Sequence, residues 1–240
     1  LDQGAPTPVA LTELGPGRGT LMADILRATR AVPGFVQAAQ ITLVEASASL
    51  RDVQRKALAG HAVHWCDSAD ALPDQPLYLI ANEFFDALPI RQFLRDGTGW
   101  RERQVGVTDG ALCFGLGPVL PQPAFADRLA DTQDGDLIED CAQLAPTVQA
   151  IAARISAHGG AALIIDYGDW HSLGDTFQAL RGHQSVDPLT APGQCDLTAH
   201  VDFEKLALAA APAQHSRITP QGVFLERLGI TQRAQTLATT

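Results

Sequence analysis

The chain has 240 residues, 46% of them hydrophobic, and a formal net charge of −10. This composition is that of a globular protein and excludes wholesale disorder, and the length suits one large α/β domain or one domain with an insertion. The sequence lacks the clustered Lys and Arg of a nucleic-acid-binding groove and the roughly 20 unbroken apolar residues of a membrane-spanning helix. An acidic surface favours a cationic partner instead.

Four cysteines are spread along the chain without a CxxC pair: Cys66, Cys113, Cys141 and Cys195. This spacing indicates a reducing compartment and no disulfide framework. His61 and His64 form an HxxH pair without Cys or carboxylate neighbours. We interpret the pair as a solvated turn before a strand and expect no metal site.

Short strands and helices alternate through the first third of the chain. Val9–Leu14 is a strand candidate that ends at a Gly-Pro-Gly turn, and Thr20–Arg30 has the apolar spacing of a helix. Further strand candidates are Gln40–Glu45, Ala62–Trp65 and Leu77–Ala81, with a helix capped by Ser47 after the first of them. This alternation predicts βαβ units and a doubly wound, Rossmann-like parallel sheet.

The pattern changes between residues 90 and 116, where polar and apolar residues alternate. Asp96-Gly97 and Asp109-Gly110 interrupt the alternation, and Asp-Gly between such runs is a strong hairpin signal. We therefore predict an antiparallel insertion within a single domain that covers residues 1–240.

The second half of the chain begins with a predicted helix from Leu144 to the Gly159-Gly160 pair. Ala161–Asp166 is an apolar run ending in an acid, which predicts a strand in the buried middle of the parallel sheet. Residues 167–202 are rich in Gly, Pro, His and Asp, and we interpret them as a loop or lid. Helical segments are predicted near Phe203–Ala210 and Val223–Leu228.

The strongest motif is ELGPGRGT, which lies between the first strand and the first helix. Glycines at positions 15, 17 and 19 let a ligand approach the backbone, and the following helix directs free N–H groups towards it. The dinucleotide-binding fingerprint is G-x-G-x-x-G, whereas the spacing here is G-x-G-x-G, preceded by an acid. That pattern is typical of S-adenosylmethionine methyltransferases. The expected cofactor-binding residues of this motif are Glu13, Gly15, Gly17, Gly19 and Thr20; the alternative is a glycine turn without a ligand.

Two acids follow the next strands. Glu45 ends the second strand, where a carboxylate can accept hydrogen bonds from both ribose hydroxyls of a nucleoside. Asp67 comes just after the third strand and could accept a hydrogen bond from an adenine amino group. Solvated surface acids remain the alternative for both.

The second strong motif is ANEFFDALP, residues 81–89, at the carboxyl end of the fourth strand. Open α/β sheets bind their ligands at this edge, so we assign Asn82 to the cofactor side and Glu83 and Asp86 to the catalytic site. Phe84 and Phe85 would shield that site from water. The structural alternative is a helix start that Asn82 or Asp86 caps.

Together these motifs resemble the DUF185-type family of S-adenosylmethionine-dependent methyltransferases. GGAALIIDYG, DPLTAPGQCDLTAHVDF and QGVFLERLGI extend the resemblance over nearly the entire chain. The family includes a mitochondrial complex I assembly factor, whose product is symmetric dimethylarginine on a core complex I subunit. Two family segments, one before the glycine motif and one after the QG-x-FL run, have no counterpart in these 240 residues. The substrate cover and the last strand of the sheet are therefore in doubt.

The resemblance implies a seven-stranded methyltransferase sheet, S-adenosylmethionine as the methyl donor and a protein arginine as the acceptor. Two carboxylates can hold a guanidinium bidentately, which is the role we assign to Glu83 and Asp86. Further candidates for the acceptor side are Tyr167, His183, Asp196 and His200.

Two other functions are compatible with these motifs. A nicotinamide oxidoreductase is disfavoured because the third glycine of the dinucleotide fingerprint is missing. A cofactor-binding assembly chaperone without turnover belongs to a different class, and only the intact acids argue against it. The expected location is the cytoplasm for a bacterial protein and the mitochondrial matrix for a eukaryotic one. The sequence leaves the oligomeric state open. The missing initiator Met suggests that the N-terminus is cut, so that a targeting segment would not be visible.

Overall fold

The computed structural model describes residues 4–239, and the first third of the chain alternates between strands and helices. The elements in chain order are β1 (Val9–Leu14), α1 (Thr20–Thr29), α2 (Phe35–Ala38), β2 (Ala39–Val44), α3 (Ala48–Ala57), β3 (Val63–Cys66) and β4 (Leu77–Asn82). The predicted strands are confirmed to within two residues at each end. The boundaries of β2 and β3 shift by one residue.

An antiparallel segment and a long helix follow. They comprise β5 (Arg91–Asp96), β6 (Gly99–Thr108), β7 (Ala111–Leu120), β8 (Leu137–Asp140), α4 (Leu144–His158) and β9 (Gly160–Ile165). The remaining elements are β10 (Gly168–Asp169), β11 (Gln178–Arg181), β12 (Gln184–Val186), β13 (Asp196–Thr198), β14 (Val201–Asp202), α5 (Phe203–Ala209), α6 (Gln221–Arg227) and α7 (Ile230–Ala238).

Five strands form one parallel sheet in the order β3-β2-β1-β4-β9. This arrangement confirms the predicted α/β class, and residues 4–239 supply five of the seven strands that the resemblance implies. The order runs outwards in one direction from β1 to β3 and in the other from β4 to β9. The crevice between β1 and β4 is therefore a topological switch point, where open α/β sheets bind their ligands.

Apolar residues cover both faces of this sheet. On one face, Leu11 and Ile41 pack with Met22 and Leu26 of α1. On the other, Ala10, Leu14 and Leu79 pack with residues of α4 and α5, including Leu144, Val148, Ile151 and Leu206. Because β1 is buried on both faces, its side chains alternate between the two cores. The packing on both faces thus fixes the carboxyl end of β1, where the glycine motif begins.

The predicted antiparallel insertion is confirmed as a four-stranded sheet in the order β7-β6-β5-β8. Asp109 and Gly110 both have positive φ angles, 52° and 79°, as a two-residue hairpin turn requires. The sheet has its own small core, built from Phe93, Trp100, Phe125 and Ile138. It extends further than the sequence predicted, because β8 joins it from residues 137–140.

One strand prediction is wrong. β9 pairs with β4 but lies at the edge of the parallel sheet, and Ala161, Ala162 and Leu163 are exposed. An apolar run shows that burial of the strand would be favourable. It does not show whether other elements among the described residues pack over that strand. The strand itself and its direction are as predicted.

Residues 167–202 are more ordered than a loop, because they contain β10–β14. Three of these strands form a small antiparallel sheet in the order β12-β11-β13, and β10 pairs with β14. The role of this region as a lid stays a prediction. Within residues 4–239, no helix has both the length and the apolar character needed to cross a membrane.

Candidate functional site

The glycine motif forms a left-handed turn between β1 and α1. Gly15 and Gly17 have φ angles of 56° and 51°, a conformation that side chains with a Cβ atom rarely adopt. The Gly15 N–H donates to the Val44 carbonyl oxygen at 3.0 Å, which fixes the turn against β2. A Cβ atom on Gly17 would meet no atom within 4 Å, so the backbone there borders open space. This is the kind of surface that a ligand can approach closely.

Glu13 lies directly beneath this turn, near the end of β1. Its side chain is buried, and burial raises the pKa of its carboxyl to about 7, against an opposing hydrogen bond from the Met22 backbone. Among residues 4–239, no hydrogen-bond partner reaches Glu13 Oε2. A buried carboxyl oxygen without a partner is costly unless another molecule supplies a donor. Thr20 begins α1 on the exposed side of the same turn.

Glu45 follows β2 and is held by two hydrogen bonds. Its Oε1 accepts from the Ser47 backbone N–H at 2.8 Å, and its Oε2 accepts from Gln54 Nε2 at 3.1 Å. The same Gln54 Nε2 donates to the Gly17 carbonyl oxygen at 2.8 Å. Gln54 Oε1 accepts from the Trp65 indole N–H at 2.9 Å. One fully buried glutamine therefore joins the glycine turn to the acid that follows β2.

Asp67 lies just past β3 and is largely exposed. Its Oδ1 accepts from Arg51 Nη2 at 2.6 Å, and Arg51 Nε donates to the Glu45 carbonyl oxygen at 2.7 Å. The structure thus brings Asp67 to the same rim as Glu45, with Arg51 between them. An exposed ion pair of this kind contributes little to stability, which leaves Asp67 free to exchange partners.

The ANEFFDALP segment begins at the end of β4 and turns sharply. Asn82, the last residue of β4, is half-buried and pairs with Ile165 of β9. Glu83 is exposed and has a φ angle of 49°, which is uncommon for a residue other than glycine and recurs at functional sites. A Cβ atom on Gly15 would lie 2.9 Å from Phe84 Cδ2. The acid turn and the glycine turn are therefore in direct contact across the switch point.

Asp86 is the buried acid of this turn. Its pKa is raised, first by burial and then by the negative charge of Glu83. Its Oδ1 has no hydrogen-bond partner within the described part of the chain. Hydrogen bonds from the backbone N–H groups of Ala87 and Asp86 lower the pKa of Asp86 in part. The capping alternative predicted a helix start, whereas residues 83–90 contain no helix.

Asp166, just after β9, organises the same turn from below. Its Oδ2 accepts from the backbone N–H groups of Phe85 at 2.9 Å and Asp86 at 3.3 Å. Burial and then the nearby Asp86 charge raise the pKa of Asp166 to about 6. The charge of Glu83 thus acts on Asp86, and the charge of Asp86 acts on Asp166.

The four acceptor-side candidates divide into two pairs. The Tyr167 carbonyl oxygen accepts from the Val201 N–H at 2.8 Å, and the Asp86 carbonyl oxygen accepts from the Ala199 N–H at 2.9 Å. These bonds bring Tyr167, whose side chain is 60% exposed, and His200 to the acid turn.

The other pair, His183 and Asp196, lies in the small antiparallel sheet. His183 occupies the turn between β11 and β12 with a φ angle of 63°, and Asp196 pairs with Leu180. No hydrogen bond within residues 4–239 joins either side chain to the acid turn. Their assignment to the acceptor side stays a prediction.

Gln54 and Asp166 contact residues of the candidate site but were not among the predicted site residues. Gln54 interrupts the apolar spacing of Leu50 and Leu58 along α3, and a lone polar residue in a buried stripe was the available signal. Asp166 ends an apolar strand, as Glu45 nearly does. Their roles depend on contacts with distant parts of the chain, which the sequence does not specify.

A glycine turn and a strand-end acid at the switch point of such a sheet define the class of α/β domains that bind a nucleoside cofactor. Residues 1–221 match a protein family described as S-adenosyl-L-methionine-dependent methyltransferases. The chain belongs to this family, and S-adenosylmethionine is its cofactor.

Several relatives carry the name "protein arginine methyltransferase NDUFAF7, mitochondrial". The chain is 37% identical to the Danio rerio protein over 98% of this chain and 62% of that protein. It is 33% identical to the Homo sapiens protein, covering 98% of this chain and 59% of that one. The chain thus spans about 60% of the length of these relatives.

A solved structure resembles the chain over most of its length. It is a COG1565 superfamily member from Burkholderia thailandensis bound to S-adenosyl-homocysteine. The two share a TM-score of 0.70 and 29% sequence identity, covering 88% of this chain and 56% of that one.

Proposed function

We propose that this chain transfers methyl groups from S-adenosylmethionine to an arginine of a protein substrate. The observation that carries this proposal is the contact between the two turns. Phe84 packs on Gly15, so the buried Asp86 and the exposed Glu83 lie beside the surface where the glycine motif would receive the cofactor. The names of the NDUFAF7 relatives supply the acceptor class.

The residues around the switch point fit the cofactor. Open space at Gly17 and the orphaned Glu13 Oε2 would accommodate its amino-acid end beside Gly15, Gly19 and Thr20. Glu45, fixed by Ser47 and Gln54, would bind the ribose hydroxyls. Asp67 would accept from the adenine amino group, and Asn82 would line the side next to β4. When bound, S-adenosylmethionine supplies an electrophilic methyl group on a sulfonium.

The two acids would hold the acceptor. A guanidinium is planar and stays protonated at neutral pH, so it is a poor nucleophile. Glu83 from the solvent side and Asp86 from the buried side would each accept hydrogen bonds from the guanidinium. Together they would hold its remaining nitrogen in line with the methyl group that is transferred. The nitrogen that gains a methyl group must lose a proton, and Asp86 Oδ1 can accept it because it carries no hydrogen bond among the described residues. Phe84 and Phe85 would keep water out.

The acceptor protein is, on the family resemblance, a core subunit of complex I. A chain with a net charge of −10 suits a segment rich in arginine. The location follows the source of the protein: the mitochondrial matrix for a eukaryotic protein, as in the relatives' names, and the cytoplasm for a bacterial one.

The direct test is a methylation assay with labelled S-adenosylmethionine and a complex I core subunit. We expect label in the subunit, and none in a version whose candidate arginines are replaced by lysine. Calorimetry would run in parallel and should show S-adenosylhomocysteine binding in preference to NAD. Cofactor binding without any transfer would support the chaperone alternative, and a preference for NAD would overturn the proposal.

A further inference from the structure

A hydrogen-bonded tether connects the inserted antiparallel sheet to the acid turn. It begins at Glu139 of β8, whose side chain is only 6% exposed. Glu139 Oε1 accepts from the Thr176 backbone N–H at 3.1 Å, and Glu139 Oε2 accepts from the Thr176 hydroxyl. A buried carboxylate thus fixes both the backbone and the side-chain rotamer of one threonine.

The same threonine hydroxyl carries the tether onwards. Thr176 Oγ1 accepts from the His200 backbone N–H at 2.8 Å. The preceding residue, Ala199, donates its N–H to the Asp86 carbonyl oxygen at 2.9 Å. The His200 imidazole lies near enough to the Asp86 carboxyl to lower its pKa, which burial and Glu83 raise more strongly. The backbone of His200 is therefore connected to Glu139 through Thr176, and its imidazole lies within electrostatic range of the buried acid.

A second set of contacts holds the neighbouring Asp175. Its Oδ1 accepts from Gln92 Nε2 at 2.8 Å, and its Oδ2 accepts from Arg103 Nη1 at 2.5 Å. Gln92 Nε2 also donates to Glu139 Oε1 at 2.7 Å. Strands β5, β6 and β8 thus all contribute to fixing residues 175–176. The Thr176 hydroxyl connects these strands to the segment that contains His200, because it bonds both Glu139 and the His200 N–H.

We propose that Glu139, acting through the Thr176 hydroxyl, is a positioning residue that holds His200 against Asp86 in the arginine-binding site. This inference rests on the proposed function, because it assigns the inserted sheet to the acceptor half of the same site. In-line displacement tolerates little error in position, so a loosened His200 would slow methyl transfer. Cofactor binding, which takes place across the crevice at the glycine turn, would be spared.

The test compares variants of Thr176 in the full chain. Thr176→Val keeps the size and branching of the side chain but removes both hydrogen bonds of its hydroxyl, whereas Thr176→Ser retains them. Thr198→Val is the matched control, because the Thr198 hydroxyl makes no hydrogen bond within residues 4–239 and lies close to His200 in sequence. We expect Thr176→Val to lower kcat for the complex I subunit by about tenfold or more. Thr176→Ser and Thr198→Val should stay within about threefold of the parent, and S-adenosylhomocysteine affinity should be unchanged throughout.

A double-variant comparison separates positioning from general loosening. If Thr176 acts through His200, Thr176→Val should have little further effect on kcat when His200→Ala is already present. Fully multiplicative losses of kcat in the double variant would overturn the proposal, as would an unchanged kcat in Thr176→Val.

A measurement without substrate makes the test independent of the proposed function. We expect the backbone amide of His200 to exchange with solvent about tenfold faster in Thr176→Val, while Thr198→Val leaves it unchanged. A parent chain that transfers no methyl group would overturn the proposed function. The exchange rates alone would then show whether Thr176 holds the backbone of His200. Unchanged exchange in Thr176→Val would overturn the tether.

Discussion

At the scale of single residues, the acid turn places two carboxylates in opposite environments. Glu83 is exposed on a left-handed backbone, and Asp86 is buried with an oxygen that lacks a partner among the described residues. A guanidinium held between them would be fixed from two sides. Under the proposed function, Glu83 would meet the incoming substrate and Asp86 would supply the buried contact.

Replacing Glu83 by Gln tests this division. The amide keeps the volume of the side chain but removes the charge. The guanidinium would therefore lose one of its two carboxylate partners, and the nucleophilic nitrogen would be misaligned. We expect kcat to fall by about 100-fold, with little change in S-adenosylhomocysteine affinity. Asp86→Asn should also lower kcat. The measurement is methylation rate beside melting temperature. Unchanged methylation in both variants would remove these acids from the mechanism and point to the later His and Asp residues.

Gly17→Val tests the placement of the cofactor. The side chain would enter open space beside the turn, where we place the amino-acid end of the cofactor. The φ angle of 51° also strains the variant, so a control with the same strain is needed. Gly182→Val provides it, because Gly182 has a φ angle of 58° in a turn of the small antiparallel sheet and likewise borders open space. S-adenosylhomocysteine binding should be lost only in Gly17→Val. Equal binding in the two variants would show that the cofactor lies elsewhere.

At the scale of elements, α3 links the glycine turn to the acid that follows β2. Gln54 reaches from the helix to the Gly17 carbonyl oxygen, the Glu45 carboxylate and the Trp65 indole. Gln54→Leu would fill the same space without any of these bonds and would leave the indole N–H unsatisfied. We expect about 1–3 kcal/mol of lost stability and weaker S-adenosylhomocysteine binding.

The control for this variant is Gln149→Leu, because Gln149 is an exposed residue in the middle of α4. Calorimetry and urea unfolding of both variants provide the comparison. Parent-like cofactor affinity in Gln54→Leu would show that the glycine turn and Glu45 hold their positions without the helix.

The elements also show what the sequence could predict. Where local patterns set the structure, the prediction was confirmed: the strand–glycine–helix unit around ELGPGRGT, and the hairpin at Asp109-Gly110. The edge position of β9 could not be read from its apolar composition, since that depends on which segments cover it. Gln54 and Asp166 were missed because their partners lie across the fold, at Gly17 and at the amides of Phe85 and Asp86.

At the scale of the whole molecule, the candidate site involves two different sheets. The parallel sheet brings the glycine turn and the acid turn together at the switch point between β1 and β4. The inserted antiparallel sheet lies beyond it and reaches the acid turn through Glu139 and Thr176. The proposed cofactor half of the site therefore lies on the parallel sheet and its helices, whereas the proposed acceptor half also involves the inserted sheet.

Two buried acids make the stability of the whole chain depend on pH. The folded-state pKa of Glu13 is about 7 against an ordinary 4.5, and that of Asp166 is about 6 against 3.8. Between the ordinary and the raised pKa, the folded chain retains a proton that the unfolded chain has released. Each acid therefore lowers the free energy of unfolding as pH rises through its window, by at most about 1.4 kcal/mol per pH unit.

Glu13→Gln isolates one of these contributions, because the amide cannot ionise and removes the slope between pH 4.5 and about 7. Relative to the parent, the variant should therefore become more stable as pH rises from 5 to 8, whatever its stability at pH 5. Asp70→Asn, at an exposed position, is the control and should show no such trend. Urea unfolding of the three proteins at several pH values measures the difference. A constant gap between Glu13→Gln and the parent across this range would mean that Glu13 is already ionised at pH 5, and that another donor satisfies its buried oxygen.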